Sequence, residues 1–540
     1  MDAWQKKLFG LVFCRADVKF QMDIEEQREK IVGFLDSGKY KMAELWIKKI
    51  LAENSKDVNF HYLLAEVLYR QKAFFRANEE LNFIRMHLYN QFNQEGGFLI
   101  EQLQGLCLRE CGESEKASEC FKRSSMFAKN LQDKTRMYSS YLFMSNYFEN
   151  LSEEELSNRH KAYGDFFEGV QQYEHVRRNK KKIRIGYISP DFREHVVVYF
   201  MYALLSKYDK NRFEVFCYAK CREDPISEQL KSLVDSWTNI EKMIDDDVAG
   251  LLYRDEIDIL VELAGHSADN SLFALAKKPA PIQICGIGYF NTTGLPAVDY
   301  FLTDAYCDPV GKNDELFTEK LLRLPHSHFC YTPPDTALAY DCNKSIRENV
   351  VFGSFNNFSK ITDEVLLTWL RILKKVPSSK LLLKNPRRDK KKEVEDIRGR
   401  ALAVGFCEEQ LDLRDASLPY LNEYADMDIA LDTFPYPGGG TTCEALFMGC
   451  PLVTLAGRRH GARFGYSILR NIGLEELAAD SVESYIEIAV ALAGDRDLLS
   501  YLQKNLRSIM QKSYLMNGEI YVREVEAAYE KIWQDWLENK

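Results

Sequence analysis

The stretch Asp428-Ile-Ala-Leu-Asp-Thr-Phe-Pro-Tyr-Pro-Gly-Gly-Gly-Thr-Thr-Cys-Glu-Ala-Leu-Phe-Met-Gly-Cys450 decides how the rest of the chain is read. An apolar run, Ile429 to Leu431, stops at Asp432; a Pro/Gly turn follows; Ala445, Leu446 and Met448 then recur at helical spacing. The pattern predicts a strand, a glycine loop and a helix with Thr441 or Thr442 as its N-cap. Three consecutive glycines let the backbone come close to a guest. The N–H groups of a helix's first turn favour an anion, and phosphate suits them. Taken alone, the same residues also fit a tight turn that holds nothing.

On either side, short apolar or β-branched runs alternate with helical patterns, as in parallel α/β sheets. Over 341–515 the expected strands are Val350 to Phe355, Leu381 to Leu383, Leu411 to Leu413, Asp428 to Leu431 and Pro451 to Leu455. Over 181–340 they are Ile183 to Ser189, Phe213 to Ala219, Asp258 to Leu263, Ile282 to Cys285, Tyr300 to Thr303 and Lys320 to Leu324. Two Rossmann-like halves in tandem predict a cleft, with ligands beyond the carboxyl ends of the strands. Lys360, in Asn356-Asn-Phe-Ser-Lys360, follows the first strand of the second half, where an ammonium would neutralise a diphosphate. Lys384 and the cationic loop Gly457-Arg-Arg-His-Gly-Ala-Arg463 are further candidates. In the first half His195, His266, His326 and His328 all follow strand ends, four of only 9 histidines in the chain. Histidine titrates nearest neutrality and serves as general base or as donor to a sugar or phosphate. No carboxylate or cysteine partners His326-x-His328 at usable spacing, so no metal is expected.

Residues 1–176 read as all-helical. Gly38-Lys-Tyr-Lys-Met-Ala43, Lys72-Ala-Phe-Phe-Arg-Ala77 and Gly112-Glu-Ser-Glu-Lys-Ala117 align, with alanines 77 − 43 = 34 and 117 − 77 = 40 residues apart. A small residue suits close helix crossings, and a period near 34 is that of tetratricopeptide-like repeats, whose stacked helix pairs form a surface for an extended peptide. A purely structural helical cap fits the same residues. The expected domains are the repeat at 1–176, α/β halves at 181–340 and 341–515, and a closing helix at 516–540 that packs back across a domain. With 540 residues, 46% hydrophobic and 28% charged, the chain is of globular composition and long enough for roughly three or four domains. No long uncharged apolar run exists, and the N-terminus lacks a secretory signature. Thirteen scattered cysteines suit a reducing compartment, so a cytoplasmic protein without a membrane span is expected. A net charge of −10 argues against a nucleic-acid partner, and the basic runs at 177–182 and 387–392 read as solvated surface.

Six motifs then stand in order: Ile185-Gly-Tyr-Ile-Ser-Pro-Asp-Phe192 with His195, Leu263-Ala-Gly-His266, Pro279-Ala-Pro-Ile-Gln283, Gly288-Tyr-Phe-Asn-Thr-Thr-Gly294, Phe352-Gly-Ser-Phe-Asn-Asn-Phe-Ser-Lys360, and Asp432 through Thr442. From Ile183 onward the chain resembles the O-GlcNAc transferase and SPINDLY group of protein glycosyltransferases. The resemblance implies a GT-B enzyme that needs no metal or other cofactor. It would transfer a sugar with inversion from a nucleotide sugar to Ser or Thr of a protein held by the repeat and cleft. UDP-GlcNAc is the first expected donor and GDP-fucose the alternative. Lys360 would stabilise the leaving diphosphate, Gly440, Thr441 and Thr442 would bind its phosphates, and Glu444 would take the ribose. His195 matches the family histidine near sugar and acceptor, and Asn291, Thr292 and His266 fall among the nucleotide-sugar-binding motifs. Three positions depart from O-GlcNAc transferase: Gly439 and Tyr420 stand where it has histidine, and Phe290 where it has proline. A small-molecule sugar enzyme and a non-catalytic repeat scaffold are the competing readings, and the oligomeric state is left open.

Overall fold

The computed structural model describes residues 27, 29–88, 93–148, 150–340, 347–385 and 391–538. The N-terminal stretch, and all of the 387–392 basic run but the backbone of its last two residues, lie outside the described residues. Contacts divide the chain into two compact units, Met1–Phe148 and Glu149–Lys540.

In the first unit, helices Tyr40–Glu53, Val58–Arg70, Phe74–His87, Gln94–Glu110, Ser114–Phe127 and Leu131–Ser145 pack each against the next. The three aligned alanines, Ala43, Ala77 and Ala117, are fully buried at the helix crossings. Gly38 and Gly112 take left-handed backbone (φ 69° and 78°) to turn the chain just ahead of those helices, and Lys72 adopts φ 60° at the equivalent turn. Gln104 crosses between helices to Asn78 and Asn82 at 3.0 and 2.7 Å.

The second unit holds two parallel sheets. The first comprises β1 (Ile183–Ser189), β2 (Phe213–Ala219), β3 (Ser236–Asn239), β4 (Ile259–Glu262), β5 (Ile282–Cys285), β6 (Tyr300–Asp304) and β7 (Lys320–Leu324), in the order β3-β2-β1-β4-β5-β6-β7. The second comprises β8 (Val351–Ser354), β9 (Lys380–Lys384), β10 (Leu411–Arg414), β11 (Ile429–Leu431), β12 (Leu452–Leu455) and β13 (Ala478–Ala479), in the order β10-β9-β8-β11-β12-β13. This is the GT-B architecture, preceded by a helical repeat. Each expected strand is present within one or two residues. The two unexpected ones, β3 and β13, are edge strands without an apolar run of strand length. In both sheets the strand order reverses beside the first strand, between β1 and β4 and between β8 and β11, where such sheets open a crevice.

Residues 150–176, read above with the repeat, pack inside the second unit. Ser157 Oγ donates to Leu316 O at 2.6 Å, and His160 Nε2 lies 2.8 Å from the Tyr289 hydroxyl. The helix Glu153–Lys161 buries Leu156, Ser157 and His160, so its apolar stripe serves the first sheet's loops. The basic run at 177–182 is only partly solvated: Arg177 donates to Trp536 O at 2.9 Å and Lys180 pairs with Asp258 at 2.8 Å. The closing helix, Gly518–Leu537, returns to the first half. There Tyr521 donates to His328 O at 3.0 Å and Glu526 accepts from Asp209 N at 2.7 Å. Where the chain crosses between halves, Tyr331 N donates to Leu515 O at 2.8 Å, so the outgoing and returning segments are joined. Among the described residues no helix is long and apolar enough to cross a membrane.

Candidate active site

The loop after β11 begins on Asp432. Its buried carboxylate accepts from Thr433 N at 3.0 Å, Gly438 N at 2.8 Å, Thr454 Oγ1 at 2.9 Å and Asn356 Nδ2 at 3.3 Å. Those donors fold residues 433–438 into a tight turn that delivers the chain to the helix Gly440–Phe447. The helix opens two residues earlier than an N-cap at Thr441 would place it, and three earlier than one at Thr442, with Gly439 as N-cap, so Thr441 and Thr442 lie in its first turn. Thr441 Oγ1 donates to Asn356 Oδ1 at 2.9 Å, whereas the buried Thr442 Oγ1 has no hydrogen-bond partner within the described residues. Gly438 is required: a Cβ there would sit 2.4 Å from Thr441 Oγ1 and 2.6 Å from Thr442 Oγ1.

Lys360, after β8, reaches the same loop. Its Nζ donates to Pro437 O at 2.9 Å and lies 3.8 Å from the centroid of the Tyr436 ring. Burial pushes the ammonium down to about 8, partly opposed by Asp432. Glu444, one turn into the helix, accepts from the Tyr420 hydroxyl at 2.6 Å and from Tyr424 at 3.3 Å, and burial pushes its carboxyl up to about 7. Tyr420 thus joins the site as the carboxylate's partner.

The first half closes over this loop. A Cβ on Gly440 would meet Val196 Cγ2 at 2.1 Å, and Val196 starts the helix Val196–Ser206 for which His195 is N-cap. Phe290, after β5, packs on Tyr436 with ring centroids 4.4 Å apart. His195 Nδ1 lies 3.4 Å from both Asp191 Oδ1 and Val197 N, and burial lowers its pKa while Asp191 pulls the other way. A neutral imidazole with 37% of the side chain exposed can accept a proton.

Other expected residues have internal partners. His266 is 1% exposed, donates Nε2–H to Thr293 O at 2.7 Å, and sits among His160, Tyr163 and Tyr289; burial, then His160, hold it neutral. Asn291 Oδ1 accepts from Thr292 N at 2.8 Å. Thr292 Oγ1 donates to Glu319 at 2.5 Å, and Thr293 gives the same buried carboxylate both its N–H, at 2.8 Å, and its hydroxyl. Lys384 is held by Asp415 O, Ser417 and Glu423 at 2.8, 2.8 and 2.9 Å. The cationic loop joins the halves: His460 Nδ1 pairs with Asp308 at 2.7 Å and Arg463 donates to Tyr306 O at 2.8 Å.

His328 does have partners that spacing hid. Asp304 Oδ2 lies 2.5 Å from its Nδ1, and Cys307 stands alongside close enough for three ligand atoms. Both Asp304 oxygens already accept donors, from Tyr306 N, Cys307 N, His328 and Ser467 Oγ, so this is a hydrogen-bonded core cluster. His326 stacks on Tyr514 and pairs with Glu524 at 2.5 Å. Asp432, Tyr436 and Glu319 received no role from the sequence. Only Asp432, at a strand end before glycines, carries a local signal.

A family model described as glycosyl transferase family 41 matches residues 149–334 and 339–525. The chain belongs to that family. A tomato (Solanum lycopersicum) protein named "Probable UDP-N-acetylglucosamine--peptide N-acetylglucosaminyltransferase SPINDLY" is 37% identical over 415 residues, 74% of this chain and 44% of its own length. Its barley (Hordeum vulgare) namesake is 38% identical over 415 residues, covering 74% and 43%. The chain therefore spans less than half the length of these curated relatives. Among solved structures, a mutant of the Thermobaculum terrenum O-GlcNAc transferase superposes with a TM-score of 0.83 at 27% identity, over 97% of this chain and 100% of that one.

Proposed function

We propose that the chain is an inverting protein O-glycosyltransferase that transfers a sugar, GlcNAc from UDP-GlcNAc in the first reading, to Ser or Thr of a peptide. The observation that carries the reading is the unsaturated seat at the glycine loop. The Thr442 hydroxyl, without a hydrogen-bond partner among the described residues, lies in the helix's first turn, the Lys360 ammonium is bound to Pro437 O of the loop before it, and Val196, next to His195, approaches Gly440 from the other half. In the proposed reaction the acceptor hydroxyl oxygen attacks the anomeric carbon as its proton passes to a general base, the bond to the diphosphate oxygen breaks, and the electron pair leaves with the nucleoside diphosphate. The developing charge falls on Lys360 and the first-turn N–H groups of Gly440, Thr441 and Thr442. Glu444, oriented by Tyr420 and Tyr424, faces the ribose. His195 stands near the acceptor. Asn291, Thr292 and His266 shape the cleft from behind. No step requires a metal.

GDP-fucose is the second arm, because Gly439 offers no side chain to the donor and the space beside it is open: a Cβ there would come no closer than 3.9 Å to Phe464. Incubation with each donor and a peptide library, followed by mass spectrometry, should show a hexosamine or a deoxyhexose increment. Nucleoside diphosphate binding without turnover on any peptide would favour the scaffold reading. Because residues 150–176 belong to the second unit, the truncation that tests the repeat ends at 148. It should abolish modification of proteins while donor hydrolysis survives, and transfer to small acceptors at full rate would favour the small-molecule reading.

A further inference from the structure

Tyr436 lies within a sequence motif that gave it no role, yet it touches both sides of the cleft. Its ring lies under the Lys360 ammonium at 3.8 Å, and Phe290 of the first half packs against it with ring centroids 4.4 Å apart. The backbone that carries the ring is tied as well, since Thr433 Oγ1 donates to the main-chain Tyr436 O at 2.7 Å and the main-chain Pro437 O takes the same ammonium at 2.9 Å. A cation over an aromatic face gains most where water is excluded, as in this crevice.

We infer that Tyr436 is a positioning residue for Lys360: its ring, backed by Phe290 across the cleft, holds the ammonium at the glycine loop, so the charge is in place only when the two halves are closed. The inference rests on the nucleotide-sugar reading above and goes past it in assigning the lysine's placement to an aromatic pair shared by both halves. Lysine is a flexible point charge with several rotatable bonds. Without the ring, the ammonium would spend much of its time away from the leaving oxygen, which lowers the rate of the chemical step more than it lowers donor affinity.

The test compares wild type, Tyr436→Leu, Tyr436→Phe, Phe290→Leu, Lys360→Ala and the double variant Lys360→Ala/Tyr436→Leu in the full chain. Donor turnover, binding of UDP and GDP by calorimetry, and thermal melting are measured for each. Tyr436→Leu should lower kcat about tenfold with KM for the donor near wild type, Phe290→Leu should lower it by a smaller factor, and Tyr436→Phe should retain most activity. On the Lys360→Ala background, Tyr436→Leu should cost nothing further, because both changes act through one charge. Equal losses on both backgrounds, or a Tyr436→Phe variant as impaired as Tyr436→Leu, would overturn the assignment. If Tyr436→Leu melts early, Phe290→Leu with its own Lys360→Ala double variant decides by the same rule. Failure of wild type to bind either diphosphate would bring down the nucleotide-sugar reading, and this inference with it. Binding by wild type with kcat unchanged in Tyr436→Leu and Phe290→Leu would remove only Tyr436's role.

Discussion

The loop after β5 and the loop after β11 are both glycine-containing connections at the carboxyl edge of a parallel sheet, and they treat their polar groups in opposite ways. In the first, Thr292 and Thr293 are tied to Glu319, His266 to Thr293 O, and Gly294 (φ 68°) is pressed so close to the linker helix that a Cβ would lie 1.8 Å from His160 O. In the second, Thr442 Oγ1 is buried without a hydrogen-bond partner among the described residues, and Lys360 meets a carbonyl and a ring. In the first loop these hydroxyls and amides are spent on internal partners. An unsaturated one stores a small folding penalty that a ligand can relieve.

Breaking the open loop at its charge should have the largest effect. Lys360→Ala is expected to lower kcat/KM on the order of 10²-fold or more with little change in melting, and a variant with full transfer would refute its assigned role. Breaking the saturated loop should instead appear in stability. Glu319→Ala leaves the donors of Thr292 and Thr293 unpaired and should cost about 2–3 kcal/mol, read as a fall in the denaturation midpoint. The contrast sharpens at Thr442→Val: removal of an unpaired buried hydroxyl should raise stability by about 1 kcal/mol while weakening nucleoside diphosphate binding several-fold. A variant less stable than wild type would mean that the hydroxyl is satisfied. The same charge also sets a pH dependence. Since burial pushes Lys360 down to about 8, its charge is present below that pH and lost above it. The kcat/KM for the donor should therefore fall about tenfold per unit once pH passes well above 8, and the limb should vanish in Lys360→Ala.

Periodicity exposed most of the fold, because buried parallel strands are apolar runs and the helices between them are amphipathic. The strands β1, β2, β5 and β7 match their expected bounds, whereas β3, reading Ser-Trp-Thr-Asn, is an edge strand whose pairing depends on β2 and not on its own composition. The site was legible where chemistry sits in one stretch, as at Asp432 to Glu444 and at Lys360. It was illegible where the partner is remote in the chain: Thr292 with Glu319, Phe290 with Tyr436, Asp304 with His328. The histidines show the limit of residue type as a signal. Of the four that follow strands in the first half, His195 keeps a partly exposed ring at the cleft, while His266 and His328 are each 1% exposed and bound to internal partners. The boundary expected at 176 rested on helical pattern alone, and the helix Glu153–Lys161 has that pattern although its buried face belongs to the α/β unit.

The hydrogen bond between Tyr331 and Leu515 gives the second half the form of an inserted cassette whose two ends meet at one point. A segment with adjoining ends can be exchanged for its counterpart without rerouting the remainder of the chain. Transplanting 335–515 between family members would thus carry the glycine loop, Lys360, Tyr436 and Glu444 together, while His195 and Phe290 remain with the recipient. Such chimaeras would have to preserve the contacts between the halves, among them Val196 with Gly440, Phe290 with Tyr436, His460 with Asp308, Arg463 with Tyr306 and Ser467 with Asp304.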